Sequence, residues 1–233
     1  DGDLPQVSIN VVNEEDATIA ITEQFDNSFG IEVSGLRRFD IEGVDPSDVP
    51  VSVNVENAGD ISLTTEAGAG IVVSSVNTTI INSGSVTVNG NASEGIELQD
   101  GLNSSIHNSG VIQVNAGQGG ASANAIQASF GSNLSIVNSG ELSSNGFFSS
   151  SILSFLDEDV SITNEETGVI NASGFISAGI DVFAGSEPES QITVTNAGAI
   201  STTGDNGFGI TVFQAVNNGG SFAVEGAEIA NSG

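Results

Sequence analysis

The side chains that could carry chemistry in this chain are almost all oxygen acids. Thirty Asp and Glu stand against two basic residues and a single histidine, for a formal net charge of −28. The densest carboxylate clusters are Asp157-Glu158-Asp159 and Glu165-Glu166. Converging carboxylates can hydrolyse a glycosidic bond, one as an acid with a raised pKa and the other as base or nucleophile. Among so many acids a close pair arises by chance, and both clusters fall where a strand starts or a corner bulges, so solvated turns are expected there. Lyase chemistry on acidic sugars wants Arg or Lys, and only Arg37 and Arg38 are available. Trp and Tyr, which would stack on sugars, are absent. His107 lies between Ile106 and Asn108 and, by strand alternation, faces outward. Without cysteine there is no thiolate metal site, disulfide or thiol nucleophile. Oxygen ligands suit calcium. Neither a Gly-Gly-x-Gly-x-Asp nonapeptide nor an EF-hand loop is present, so no cofactor and at most non-specific calcium are expected.

These side chains are carried by a repeat. Asn-x-Gly followed by a branched apolar residue recurs at Asn57, Asn82, Asn108, Asn138 and Asn196, with a longer form at Asn164. Asn13 begins a copy of the longer form, and Asn231-Ser-Gly233 opens another. Ten residues after Ile61, Val86, Leu142, Ile170 and Ile200 stand Ile71, Ile96, Ile152, Ile180 and Ile210. A third apolar anchor sits two positions before the next Asn, at Ile80, Ile106, Ile136, Ile162, Val194 and Ile229. The cycle is therefore 26 residues, and Asn-to-Asn steps of 25, 26, 30, 26, 32 and 35 depart from it mainly by insertion.

Three short β-rich segments per cycle, alternating with period two and separated by Gly, Asn and Ser, predict a coil with three strands per turn. The expected fold is all-β: a parallel β-helix, right-handed, of about seven turns of ~26 residues, roughly 34 Å long at ~4.8 Å per turn. An antiparallel sandwich would not need three anchors to keep phase. The chain reads as one domain over 1–233, with a divergent first turn at 7–31 and an insertion at 32–54. Asn13, Asn57, Asn82, Asn108, Asn138, Asn164, Asn196 and Asn231 are expected to stack as a structural amide ladder. Asn and the following Gly are expected to take the left-handed backbone of a tight corner.

Ile-x-Asn-Ser-Gly-x-Ile, followed by Gly-Ile-x-Val ten residues on, resembles bacterial surface β-solenoids. The similarity is to passenger regions of autotransporter adhesins and to filamentous-haemagglutinin-like exoproteins, clearly over 51–233 and weakly over 7–31. The resemblance implies an extracellular rod with an adhesive or scaffolding role.

Composition narrows the partners. Two cations leave no footprint for nucleic acid. No apolar run reaches the ~20 residues of a membrane-spanning helix, so no membrane insertion is expected. The opening Asp1-Gly-Asp-Leu-Pro has no secretory leader, so a leader is expected to lie outside this sequence. Phe147, Phe148, Phe155, Phe175 and Phe183 fall in adjacent turns and are expected to fill the interior as a stack. Five Asn-x-Ser/Thr sequons, at Asn77, Asn91, Asn103, Asn133 and Asn171, fit exposed turns.

Both ends stop at the same phase of the cycle, which suits either a piece of a longer repeat protein or subunits stacking head to tail. Arg37, Arg38 and Phe39 in the insertion, with Val11 and Ile229 in the first and last turns, are the expected subunit interface. Arg37 and Arg38 would pair with carboxylates of a neighbouring copy. The expected function is that of a non-enzymatic extracellular rod of a fibre, surface layer or matrix. An adhesin passenger, binding a receptor or surface polysaccharide, is one alternative. A polysaccharide-degrading β-helix is another.

Overall fold

A computed structural model describes residues 7–22, 26–37, 48–116, 122–184, 190–214 and 227–232. The chain is a parallel β-helix whose strands form three faces. Sheet A contains β1 (Val7–Asn13), β4 (Val51–Asn57), β7 (Thr78–Asn82), β10 (Leu102–Asn108), β13 (Ser132–Asn138), the latter part of β15 (Ser150–Asn164), β18 (Ile192–Asn196) and β21 (Ala227–Asn231). Sheet B contains β2 (Thr18–Ile21), β5 (Asp60–Thr64), β8 (Ser85–Asn89), β11 (Val111–Asn115), β14 (Glu141–Asn145), β16 (Val169–Ser173) and β19 (Ala199–Thr203). Sheet C contains β3 (Asp26–Ser34), β6 (Ala67–Ser74), β9 (Ser93–Gln99), β12 (Ala123–Ser129), the first part of β15, β17 (Ala178–Ala184) and β20 (Phe208–Gln214). Because β15 runs unbroken around a corner, it joins sheets A and C.

The register stacks like on like. Ile80, Ile106, Ile136, Ile162, Val194 and Ile229 pair in succession in sheet A. Ile19, Ile61, Val86, Ile112, Leu142, Ile170 and Ile200 do so in sheet B. Ile31, Ile71, Ile96, Ile126, Ile152, Ile180 and Ile210 do so in sheet C. These columns meet in one continuous core. A β-branched side chain suits a column of this kind, since its restricted χ1 repeats from turn to turn without added entropy cost. Each fully buried Ile contributes about 1.5–3 kcal/mol of hydrophobic stabilisation.

The corners divide the work differently from the sequence expectation. None of the ladder Asn residues has positive φ, and neither do Gly84, Gly110 or Gly140. Glycine is required there by close approach: a Cβ on Gly84, Gly110 or Gly140 would fall on the carbonyl oxygen of the corner glycine one turn away. The left-handed residues sit at the other two corners. Asn77, Asn103, Asn133 and Asp159 occupy one entering sheet A, and Ala92, Phe148, Ile176 and Asn206 occupy the one entering sheet C.

The segment 32–54 is partly regular strand. Residues 32–34 continue β3 in register with β6, and residues 51–54 belong to β4, in register with β1 throughout and with β7 from Val53. Val49 packs with Val76 and Leu102 in a satellite cluster joined by Leu36 and Val51. The insertion is thus tied to the outside of the coil by apolar contact.

Candidate functional site

The eight asparagines form one ladder along the corner between sheets A and B. Each side-chain amide donates from Nδ2 to Oδ1 of its equivalent in the next turn, from Asn13 to Asn57 and so on to Asn231, with all seven bonds at 2.7–2.8 Å. The second amide hydrogen reaches a glycine carbonyl at several rungs, as from Asn108 to Gly110 at 3.2 Å. The amides between Asn57 and Asn196 are buried and satisfied by one another. Their chemistry is therefore structural.

The outer face of sheet C changes character along the rod. Counting outward positions from the Ile column, one column runs Val72, Glu97, Gln127, Leu153, Asp181, Thr211. The next runs Ser74, Gln99, Ser129, Phe155, Phe183, Phe213. The middle turns are polar and the later ones aromatic. Phe155, Phe183 and Phe213 each stand three residues after an interior Ile, and an odd offset puts them outside. The expected interior Phe stack is thus overturned: Phe147, Phe148, Phe155 and Phe175 are exposed, and Phe183 is partly so. The interior is already filled by the Ile and Val columns, which leave no room for rings.

The rings make an ordered surface. Phe155 and Phe183 lie 6.1 Å apart with planes tilted by 59°, and Phe183 and Phe213 stack at 5.2 Å and 19°. Phe147 and Phe175 stack at 5.1 Å and 16° beside them. Between this aromatic column and the corner entering sheet C lies a groove of about 450 Å³. Phe148, Phe155, Phe183, Phe208 and Phe213 line it with Leu153, Ile176 and Ala178, and its polar groups are Ser150, Asp181 and Thr211. Two of the lining residues, Phe148 and Ile176, hold φ of 56° and 53°. Bulky side chains rarely take the left-handed region. Here the stacked backbone imposes it, because the Phe148 N–H donates to the Phe175 carbonyl and the Ile176 N–H to the Asp205 carbonyl, both at 3.0 Å.

Comparison with protein families, curated proteins and solved structures finds no match.

Two carboxyl groups on this face are electrostatically perturbed. Asp181, in the groove, has its pKa raised by burial, while hydrogen bonds from the Thr211 and Ser150 hydroxyls pull the other way. Thr211 Oγ1 donates directly to Asp181 Oδ1. Glu94, on β9, is pushed up to about 8, first by burial and then by the charge of Glu97. Glu97 Oε1 accepts from Gln99 Nε2 at 2.6 Å, and Asn124 and Gln127 of β12 stand in register with the two acids. Glu94 beside Glu97 is a carboxyl with a raised pKa next to a second acid, the feature a glycosidase general acid requires. Sequence spacing alone did not single it out; the signal was two acids at i and i+3 on an otherwise apolar-neutral face.

The carboxylate clusters noted in the sequence part company. Glu165 and Glu166 form an exposed turn, as expected. Asp157 does not: it is 0% exposed, its Oδ1 accepts the Gly131 N–H at 2.6 Å and its Oδ2 accepts the Ser154 hydroxyl at 2.7 Å. It holds the corner where β15 turns from sheet C to sheet A. Asp159 accepts the Gln191 N–H at 3.0 Å at the same corner. His107 is exposed on β10 between Ile81 and Val137. Among the described residues, no three His, Asp or Glu side chains converge as metal ligands.

Of the expected interface residues, Arg37 is exposed just after β3, while Arg38 and Phe39 lie outside the described residues. Val11 stacks on Val55 in the first turn, and Ile229 stacks on Val194 in the last with 51% of its surface exposed. The coil therefore places Val11 and Ile229 at opposite ends.

Proposed function

We propose that this chain is a length of a non-enzymatic, extracellular β-solenoid rod that builds a cell-surface fibre, layer or matrix. The observation that carries the reading is the unbroken amide ladder: all seven steps use the same atoms at the same distance, so the coil is a unit that extends by adding turns. The core columns are partly exposed in the outermost turns, at Ile9, Val11, Ile19 and Ile21 on one side and Ile200, Ile210 and Val212 on the other. A further turn, from more of the same chain or from a second copy, would bury them. Head-to-tail stacking of copies fits this chemistry, with Arg37 and Arg38 offsetting the repulsion between strongly acidic rods. The acidic, cysteine-free, lysine-free composition and the resemblance to autotransporter and haemagglutinin-like passengers support the extracellular setting.

Negative-stain microscopy at high salt with calcium should show filaments longer than one coil; monomeric particles alone would end the fibre reading. Reversing both charges, Arg37→Glu with Arg38→Glu, should shorten or abolish them, and unchanged filaments would remove the arginines from the interface. Incubation with acidic or neutral polysaccharide should release neither reducing nor unsaturated ends. Release abolished by Glu94→Gln would replace the rod with a hydrolase. An adhesin reading is favoured by one observation, the exposed aromatic groove on sheet C.

A further inference from the structure

The groove on sheet C gathers the exposed rings of Phe148, Phe155, Phe208 and Phe213 on one face. The corner entering sheet C is left-handed turn after turn, and Ala92 and Asn206 fill it at φ of 47° and 61°. In the two turns flanked by the groove the same corner carries Phe148 and Ile176. The folding of the coil does not ask for apolar side chains there. Nor does it ask for exposed rings at Phe208 and Phe213, of which Phe213 has 54% of its surface exposed.

We propose that this groove binds a small quaternary ammonium compound, its cationic head against the Phe rings and beside Asp181. The ring faces carry negative quadrupole potential, and cations bind them most strongly where water is excluded. Among the described residues, Asp181 is the one ionisable group lining the groove, and hydroxyls of the adjoining strands anchor it. An apolar ligand would bury that carboxyl without a charge partner, and an anion would meet it head-on. A primary ammonium brings three donors and needs acceptors for each, whereas the groove wall is mostly ring and methyl. A quaternary ammonium needs no acceptor, gains from rings and carboxylate together, and carries apolar substituents that the groove can cover. The volume lies within the ~300–1,000 Å³ of small-molecule sites. A net charge of −28 further raises the local concentration of cations. The site does not depend on how the rods assemble.

Titration calorimetry on the whole chain, with choline and its neutral carbon isostere 3,3-dimethyl-1-butanol, tests this directly. Choline should bind with a dissociation constant below about 1 mM, and the isostere at least about tenfold more weakly. Asp181→Asn should weaken choline about tenfold, a loss of about 1.4 kcal/mol. Phe213→Ala, on an exposed ring that the fold can spare, should weaken it several-fold with an unchanged melting temperature. Equal binding of choline and the isostere, which needs no variant, would overturn the proposal, as would absence of choline binding to the folded protein. Binding to phosphatidylcholine vesicles without binding of free choline would also overturn it and point to a membrane surface instead.

Discussion

At the scale of single residues, the ladder asparagines and Glu94 make opposite demands on charge and hydrogen bonding. Replacing Asn108 by Ala removes the acceptor of Asn82 and the donor to Asn138 together, at a buried corner. Two orphaned amide groups at about 1–3 kcal/mol each give an expected loss of about 2–6 kcal/mol in denaturant unfolding. Asn231→Ala removes a partner from Asn196 alone, at a more exposed rung, and should cost less than half as much. Equal losses at the two sites would mean that the amides do not act through one another. Glu94 titrates with the reverse sign from an ordinary acid. Its folded pKa of about 8 lies above the unfolded value of 4.5, so the folded state holds the extra proton between those limits. Stability attributable to Glu94 is therefore present below pH 4.5 and lost as pH rises toward 8, by up to about 1.4 kcal/mol per pH unit. Glu97 on the same strand is the charge that faces it, and β12 contributes only the neutral Asn124 and Gln127, with β6 contributing Ala69 and Val72. The melting temperature of Glu94→Gln should exceed that of the parent by a margin that widens across this window. A constant margin would remove the protonation account.

At the scale of strands and corners, the sequence made the stacking legible because each column repeats one residue type at a fixed offset. The three Ile columns and the Asn ladder fall where the 26-residue cycle puts them, even across the insertion after Ile112. One feature was illegible for a physical reason, and a second is legible only through the parity of the strands. The corner glycines look like left-handed residues in a sequence, but the same letter serves where two backbones approach, and only coordinates separate the two. Bulky apolar rings suit an interior, but the odd offset from Ile152 to Phe155 and from Ile180 to Phe183 points them outward. The Gly-Ile motif has a similar hidden rule. Cβ atoms on Gly70, Gly95 and Gly179 would meet γ-methyl groups of Val86, Ile112 and Ile200 in the next turn of sheet B. Where that column carries Leu142, without a branch at Cβ, the matching position is Ala125. Ser151 is the exception: it carries a Cβ opposite the branched Ile170, with its hydroxyl bonded to the Asn171 carbonyl at 2.7 Å. Gly95→Ala should therefore destabilise by about 1–3 kcal/mol through overpacking. Adding Ile112→Leu should recover part of it, as a favourable coupling in a double-mutant cycle, while the close approach of the Ala125 carbonyl oxygen remains. Additive losses would show that the methyl contact is not the cause.

At the scale of the whole molecule, the question is how a coil with net charge −28 tolerates turns ~4.8 Å apart. A column that stacked carboxylate on carboxylate would set like charges at that spacing along the rod. The register avoids it. In the described strands Glu97 lies between Val72 and Gln127, Asp181 between Leu153 and Thr211, Glu141 between Val111 and Val169, and Asp60 between Thr18 and Ser85. No register pair among them matches one carboxylate with another. The acidic coat is thus dispersed in phase with the coil, and neutral neighbours separate its charges by at least two turns within a column. Gln127→Glu breaks that arrangement by stacking a second carboxylate directly on Glu97. Coulomb's law between the limits of water and a protein surface gives a cost of about 1–3 kcal/mol at low ionic strength. Raising salt from about 0.01 M to 1 M shortens the screening length from ~30 Å to ~3 Å and should recover most of the loss. Thr87→Glu supplies the control, since Ser62 and Gln113 flank it in its column and the added charge has no carboxylate stacked on it. Its effect at low salt should be well under half that of Gln127→Glu. If the two substitutions cost the same at every salt concentration, net charge and not register governs the stability of the rod.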